Sequence, residues 1–137
     1  MSQENVELAR QCYEAVNRRD FDTLLRMCDP AVEFEPPEHA PYAGIYRGVD
    51  AVRELVQSLS EVWDLRWEPE RFFETGDRLV VFVDMAVRGR ASDAPAATRV
   101  GHLWEMRNGK VVRFKVFPER EKALEAVGLS EQDAHSS

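Results

Sequence analysis

Two side chains in the sequence are the candidates for acid–base catalysis, Glu35 and Glu105, and His102 would be a natural proton carrier near neutral pH if it faced the interior. A carboxyl group enclosed by apolar side chains has its charged form disfavoured, so its pKa rises and it can act as a general acid or base near neutral pH. A histidine side chain titrates in that range without such help. The chemistry therefore depends on which of these side chains the strands turn towards an enclosed interior.

Glu35 lies at the end of an alternating segment, directly before a pair of prolines. Strict alternation places Glu35 and Glu33 on the face opposite Val32 and Phe34. Pro36 cannot continue a hydrogen-bonded ladder, and a kink at this residue would turn Glu35 inward. Two interpretations stay open, a general base that faces a cavity and a solvated carboxylate at a strand end. We name Glu35 as the leading candidate base.

The sequence carries no motif for a nucleotide, a zinc or an acyl-serine mechanism, since GxGxxG, Walker, HExxH and GxSxG patterns do not occur. Cys12 and Cys28 show neither a CxxC nor a His-paired spacing, so we expect small core residues rather than a metal site or a disulfide. We expect no cofactor and no metal. The net charge of −7 disfavours nucleic acid as a partner, because phosphate binding requires a basic surface.

Length and hydropathy predict one water-soluble domain. The chain has 137 residues, 44% of them hydrophobic, and contains no apolar run of about 18 residues that would cross a membrane. The first ten residues lack the basic start and apolar stretch of a signal peptide, which favours the cytoplasm. We predict a single domain over residues 1–129 and a flexible tail over residues 130–137.

Apolar residues recur at helical spacing in several segments. This spacing predicts a first helix over about residues 3–18, a second short helix capped by Asp20, and a last short helix over residues 119–127. A long helix begins at Asp50, and its one-sided apolar pattern predicts packing against a sheet. The apolar residues of that helix are Val52, Leu55, Val56, Leu59, Val62 and Trp63.

Branched and aromatic residues predict a short strand at residues 32–35 and a meander of four longer strands. Asn108-Gly109 is typical of a two-residue type I′ turn, because both residues accept positive φ angles. We predict that Arg107 lies opposite Lys110 and that this register continues unchanged along the hairpin. The four strands cover residues 65–74, 79–88, 98–107 and 110–118. The predicted pairs include Gly101 with Val116, His102 with Lys115, Leu103 with Phe114 and Glu105 with Val112.

The predicted register sorts the last hairpin into two faces. The inner face carries Gly101, Leu103, Glu105, Val112, Phe114 and Val116, and the outer face carries His102, Trp104, Met106, Arg113, Lys115 and Phe117. Glu105 on the inner face is a second candidate catalytic residue, and its alternative is a strand-end carboxylate bonded to Arg107 or to solvent.

Aromatic and branched residues also predict the walls of a pocket for a small hydrophobic molecule, with a filled core as the alternative. The predicted substrate-binding residues are Tyr13, Tyr42, Tyr46, Trp63, Trp67, Val81, Val83, Met85, Leu103, Phe114 and Val116. Large aromatic residues on the outer sheet face need a cover, which predicts a homodimer. The predicted interface residues are Phe82, Asp84, His102, Trp104, Arg113 and Lys115.

The order of the elements and several short stretches resemble the SnoaL-like proteins of the nuclear transport factor 2-like superfamily, which includes ketosteroid isomerase-like and polyketide cyclase-like members. The resemblance covers about residues 3–128. It implies an α+β fold, a cone-shaped α+β barrel whose curved mixed or antiparallel sheet wraps around the long helix. The stretches are Tyr13-Glu14-Ala15-Val16-Asn17 with Asp20, Tyr46-Arg47-Gly48, and Asn108-Gly109-Lys110-Val111-Val112.

The resemblance leaves the activity open, because this superfamily contains isomerases, cyclases, epoxide hydrolases, dehydratases and non-catalytic proteins. The isomerase branch implies a tyrosine and a protonated acid at positions that Cys12 and Gly101 occupy here, so steroid isomerisation is not expected. We expect cofactor-free acid–base chemistry on a small hydrophobic molecule, with Glu35 and Glu105 as catalytic residues. The alternative is a non-catalytic ligand-binding or dimerisation module.

Overall fold

The computed structural model describes residues 2–89, 91 and 95–133 as an α+β fold with a curved mixed sheet, as predicted. The helices are α1 (Ser2–Asn17), α2 (Phe21–Arg26), α3 (Val49–Val62) and α4 (Arg120–Ala126), followed by a 3₁₀ turn at Glu131–Asp133. The strands are β1 (Cys28–Glu35), β2 (Tyr46–Arg47), β3 (Trp63–Thr75), β4 (Arg78–Gly89), β5 (Pro95–Arg107) and β6 (Lys110–Phe117).

The predicted cap of the second helix is confirmed. The Asp20 carboxylate accepts hydrogen bonds from the Thr23 backbone N–H at 3.2 Å and from the Thr23 hydroxyl at 2.7 Å. These bonds satisfy a backbone donor that the first turn of a helix leaves free. Asp20 therefore sets where α2 begins. None of the helices formed by the described residues is long and apolar enough to cross a membrane.

The six strands lie in the order β2-β1-β6-β5-β4-β3, with β1 and β6 parallel and every other neighbouring pair antiparallel. The parallel pair joins the first strand to the last, so the sheet is mixed. β3 forms one edge of this sheet. The α1 and α3 helices pack on one face, and we call the space between them and the sheet the interior.

The predicted turn of the last hairpin is confirmed, but the predicted register is wrong beyond it. Asn108 and Gly109 have φ angles of 55° and 75°, and Arg107 lies opposite Lys110. The register then shifts by one residue at a bulge between Glu105 and Met106, with Val112 as the extra residue. From there the pairs are Glu105 with Arg113, Trp104 with Phe114, Leu103 with Lys115, His102 with Val116 and Gly101 with Phe117.

Because side chains alternate along a strand, this shift exchanges the two predicted faces of β5. His102 and Trp104 point into the interior, where both are buried. Leu103 and Gly101 lie on the opposite, outer face beneath α4. A second apolar cluster forms there, of Phe73, Val80, Phe82, Leu103, Ala123, Leu124 and Val127.

Candidate functional site

The interior contains a group of six ring-bearing side chains around His102, and we call it the interior aromatic cluster. The His102 ring lies edge-on to Trp67, with ring centres 4.5 Å apart, and to Phe114, with ring centres 4.7 Å apart. Burial of this much ring surface favours a fixed arrangement. The cluster consists of Tyr13, Phe34, Trp67, His102, Trp104 and Phe114.

A chain of two hydrogen bonds runs through the cluster. Trp104 Nε1 donates to the Tyr13 hydroxyl oxygen at 3.1 Å, and that oxygen lies 2.8 Å from His102 Nδ1. An indole N–H can only donate, so the Tyr13 oxygen accepts from Trp104, and its own proton is available for His102 Nδ1. We therefore assign Nδ1 as the acceptor, which leaves the imidazole hydrogen on Nε2.

Two nitrogens at the centre of the cluster are buried and have no hydrogen-bond partner among the described residues: His102 Nε2 and Trp67 Nε1. Few buried polar groups in native folds lack a partner. The two rings that carry these nitrogens are in contact, with ring centres 4.5 Å apart. This pair is the most unusual polar feature of the interior.

The cluster is uncharged at neutral pH. Burial lowers the pKa of His102 from 6.5 to about 3, so the imidazole is neutral. Burial also raises the pKa of Tyr13 well above its ordinary value, which keeps the phenol protonated. The two side chains therefore act as neutral hydrogen-bonding groups.

Asn17, at the end of α1, holds Trp67 in place. The Asn17 side chain accepts from the Trp67 backbone N–H at 2.9 Å and donates to the Trp67 carbonyl oxygen at 2.9 Å. Trp67 lies on an edge strand, so this amide supplies the two hydrogen bonds that a neighbouring strand would make. Asn17 thereby fixes the backbone from which the indole reaches the cluster.

Both candidate catalytic glutamates lie on the outer face of the sheet, so the predicted inner position of Glu105 is wrong. Glu35 pairs with Lys115 at 3.4 Å and with Arg113 at 3.5 Å. Glu105 pairs with the same Arg113 at 3.2 Å. The chain therefore does not kink inward at Pro36, and the alternation from Val32 continues through Glu35. A catalytic role for either glutamate stays a prediction, and neither carboxylate faces the interior.

Most of the predicted lining residues do contact the interior core. Tyr13, Val81, Val83, Phe114 and Val116 are buried in it, while Tyr42, Tyr46, Trp67 and Met85 pack against it and are half-buried. Two residues lie elsewhere: Leu103 is on the outer face, and Trp63 is 40% exposed. Ligand contact by any of them stays a prediction.

The predicted outer patch loses its aromatic members. His102 and Trp104 are interior residues, and Phe82 is buried beneath α4 with 1% exposure. Asp84, Arg113 and Lys115 do lie outside, each in ion pairs. The predicted dimer interface on the outer sheet face is therefore charged rather than aromatic. A homodimer stays a prediction.

Two concavities that described residues line lie away from His102. The larger, about 830 Å³, lies between the first half of α1 and the turns that follow β3 and β5. The smaller, about 210 Å³, lies between α1 and β3 and includes Tyr13 and Asn17 in its wall. The described side chains around His102 form a packed group of rings, with the half-buried Trp67 at its border.

Sequence reasoning missed the three residues that organise the cluster, namely Asn17, His102 and Trp104. His102 was assigned to the wrong face because Val112 gives no signal of a bulge. Asn17 was noted only as part of a recurring stretch, and its bonds to Trp67 connect residues that are 50 positions apart.

Solved structures with this architecture come from several bacteria. An NTF2-like protein of unknown function from Burkholderia pseudomallei is 27% identical, with a TM-score of 0.78 over 89% of this chain and 95% of that one. TerC, co-crystallised with polyporic acid, is 27% identical, with a TM-score of 0.77 over 91% and 98%. A proposed polyketide cyclase from Xanthomonas campestris pv. campestris, 17% identical with a TM-score of 0.74 over 88% and 93%, shares the fold.

No curated protein matches the sequence significantly. The SnoaL-like domain family matches residues 9–114, which contain α1 after its first two turns, the long helix, and the strands up to the middle of β6. This range includes every residue of the interior aromatic cluster. The chain belongs to the SnoaL-like domain family.

Proposed function

We propose that this chain binds a small, largely apolar aromatic molecule against the interior aromatic cluster. The observation that carries the proposal is the pair of buried nitrogens, His102 Nε2 and Trp67 Nε1, which have no partner among the described residues. A buried polar atom without a hydrogen bond costs about 1–3 kcal/mol. A ligand that satisfies both atoms would recover that free energy.

The surroundings of the two nitrogens support an aromatic ligand. Rings from Tyr13, Trp104 and Phe114 contact His102 or each other in edge-to-face and stacked arrangements. Walls of this kind suit flat apolar molecules, whose position is then fixed by a few polar groups. The co-crystal of TerC with polyporic acid supports the use of this fold for a small molecule.

The proposal is for binding rather than for catalysis by carboxylates. General acid–base catalysis requires the acid or base within hydrogen-bond reach of the reacting group. Glu35 and Glu105 are instead engaged by Arg113 and Lys115 on the other side of the sheet. Of the alternatives that the sequence leaves open, ligand binding has the stronger support.

The test uses the three tryptophans as reporters of where a ligand binds. We would titrate ¹⁵N-labelled protein with polyporic acid and follow the indole N–H resonances, assigned by single Trp→Phe substitutions. Binding in the interior is expected to shift Trp67 and Trp104 saturably and to leave the exposed Trp63 unchanged. Shifts confined to Trp63, or no saturable shift at all, would contradict the proposal.

A further inference from the structure

We propose that the first half of β3 is a latent pairing edge for a second copy of this chain, and that Asn17 keeps this edge closed by binding the backbone of Trp67. The described sheet has two edge strands, and β3 is the longer, with 13 residues against two in β2. An edge strand of that length presents a row of backbone groups with which another strand can pair. The inference goes beyond ligand binding and does not depend on it.

The bonds of Asn17 show which backbone groups of β3 point away from the sheet. The Asn17 side chain binds the N–H and the carbonyl oxygen of Trp67, each at 2.9 Å, so both groups point away from β4. The register with β4 is regular from Trp63 to Pro69, and backbone groups alternate in direction along such a strand. Trp63, Leu65 and Pro69 therefore face outward as Trp67 does, and we call these four positions the β3 edge.

Three of the four positions of the β3 edge have no N–H to offer a second strand. The Trp67 N–H is bound by Asn17, and Pro69 has no N–H. The Trp63 N–H donates to the last turn of α3. Among the described residues this leaves Leu65, and one residue pair is too little to offset the freedom that two molecules lose on association. The edge should therefore stay unpaired while Asn17 holds Trp67.

The side chains around Leu65 suit a second copy of the same strand. An antiparallel pairing centred on Leu65 places Asp64 opposite Arg66 of the second copy, and Trp63 opposite Trp67. Asp64 and Arg66 have opposite charges and are 54% and 62% exposed. Their ion pairs within the chain lie on the surface, where such pairs exchange at little cost. Trp63 is 40% exposed, so this part of the edge also carries an uncovered ring.

Removal of the Asn17 side chain makes the pairing longer. The Trp67 N–H can then donate to the Trp63 carbonyl oxygen of the second copy, and two-fold symmetry repeats this bond on the other side of Leu65. The paired segment extends from Trp63 to Trp67 instead of being limited to its centre. Asn17 is thus an autoinhibitory contact between the end of α1 and the β3 edge.

The experiment measures molar mass by size-exclusion chromatography with light scattering, over a range of protein concentrations and without any ligand. We expect Asn17→Ala to form a concentration-dependent species of twice the wild-type mass. Asn5→Ala makes the same substitution in the first half of α1 and should behave as the wild type. If Asn17→Ala does not fold, Asn17→Ser replaces it, because the shorter hydroxyl cannot bind both backbone groups of Trp67.

Two further variants, made in the Asn17→Ala background, assign the association to the β3 edge. Leu65→Pro removes the N–H at the centre of the pairing and should abolish the dimer. Pro69 shows that an outward position of β3 accepts proline. Arg66→Glu places an acidic side chain opposite Asp64 of the second copy and should weaken the dimer, more so at low salt.

Each result decides for or against the inference. Folded Asn17→Ala and Asn17→Ser proteins that keep the wild-type mass at every concentration overturn it, as does a dimer that persists with Leu65→Pro. A wild-type dimer that Leu65→Pro abolishes would show that the edge is open and that Asn17 does not close it. No ligand is present, so these results leave the proposed function untouched, and that proposal is decided separately by the indole titration.

Discussion

The inner and outer faces of the β5–β6 hairpin differ in chemistry although they share one backbone. Inward, His102, Trp104 and Phe114 form a neutral, buried group of rings with hydrogen bonds to Tyr13. Outward, Glu105 joins an ion-pair network with Arg113, and α4 covers the apolar part of the same face. Alternation along two strands thus separates uncharged hydrogen-bond donors from charged pairs.

The difference shows how much depends on one residue. Val112 is the extra residue of a bulge, and it shifts the register of all pairs further from the turn. Without it, His102 would lie beside Lys115 on the outer face and Leu103 would face the interior. Among the described residues the interior would then hold no histidine, since the other described histidine, His39, is in an exposed loop.

The largest effect that distinguishes the two faces is expected from the same substitution on each side of β6. Phe114→Ala removes a ring that is 7% exposed and touches four other rings, and should lower the free energy of unfolding by about 3–5 kcal/mol. Phe117→Ala, on the half-buried outer side, should cost roughly half of that. Urea unfolding measures both, and equal losses would contradict the assigned faces.

A second prediction concerns the pH dependence of stability. The folded pKa of His102, about 3, lies below the value of 6.5 for an unfolded chain. Between these values the unfolded state binds a proton that the folded state does not, so stability falls as pH decreases, by up to about 1.4 kcal/mol per unit. Relative to His102→Gln, the wild type should therefore lose roughly 2–3 kcal/mol between pH 7 and pH 4.5.

The control for this pH effect is His39→Gln, which makes the same substitution in an exposed loop. Urea unfolding of the three proteins is measured at several pH values. The carboxylates are the same in all three proteins, so a difference between the curves gives the contribution of His102 to the pH dependence of stability. A wild-type curve parallel to that of His102→Gln would mean that His102 is protonated in the folded state and is not enclosed as described.

The sequence predicted the fold well where the signal is local. Asp20 caps α2, Asn108-Gly109 forms the hairpin turn, and the one-sided apolar pattern after Asp50 marks α3. Each of these features depends on a few neighbouring residues, so backbone preferences are enough to identify it. The arrangement of these elements in space was predicted from the family resemblance.

The site was harder to predict because its parts are distant in sequence. Tyr13 meets His102 across 89 positions, and Asn17 meets Trp67 across 50. A valine is compatible with either a regular or a bulged strand, so Val112 gave no reason to abandon the simple register. Glu35 had two interpretations, and the structure supports the one that follows from alternation.

A third prediction concerns Gly101, which lies on the outer face of the sheet under α4. A Cβ atom there would lie 2.9 Å from Ala123 Cβ and 3.2 Å from Arg120 Cα, so Gly101→Ala forces the helix away from the sheet. We expect a loss of about 2 kcal/mol in urea unfolding. The same change in an Ala123→Gly background should cost less. Equal costs in both backgrounds would show that α4 does not contact this position.

The smallest effects are expected from the outer carboxylates, and they test whether either glutamate has the catalytic or binding role that its type suggested. Glu35→Gln and Glu105→Gln keep the shape of the side chain and remove one charge from the network around Arg113. Each should lower the free energy of unfolding by less than about 1 kcal/mol, because ion pairs on a sheet surface contribute little.

This small cost should shrink further in 1 M salt, which screens partly exposed charges, whereas the cost of Phe114→Ala should persist. The proposed binding of a small aromatic molecule should be unchanged in both glutamine variants, since the network lies across the sheet from His102. A loss of binding in Glu35→Gln alone would mean that this carboxylate reaches the interior after all. The proposed ligand site would then contain an acid, and the uncharged interior aromatic cluster alone would not describe it.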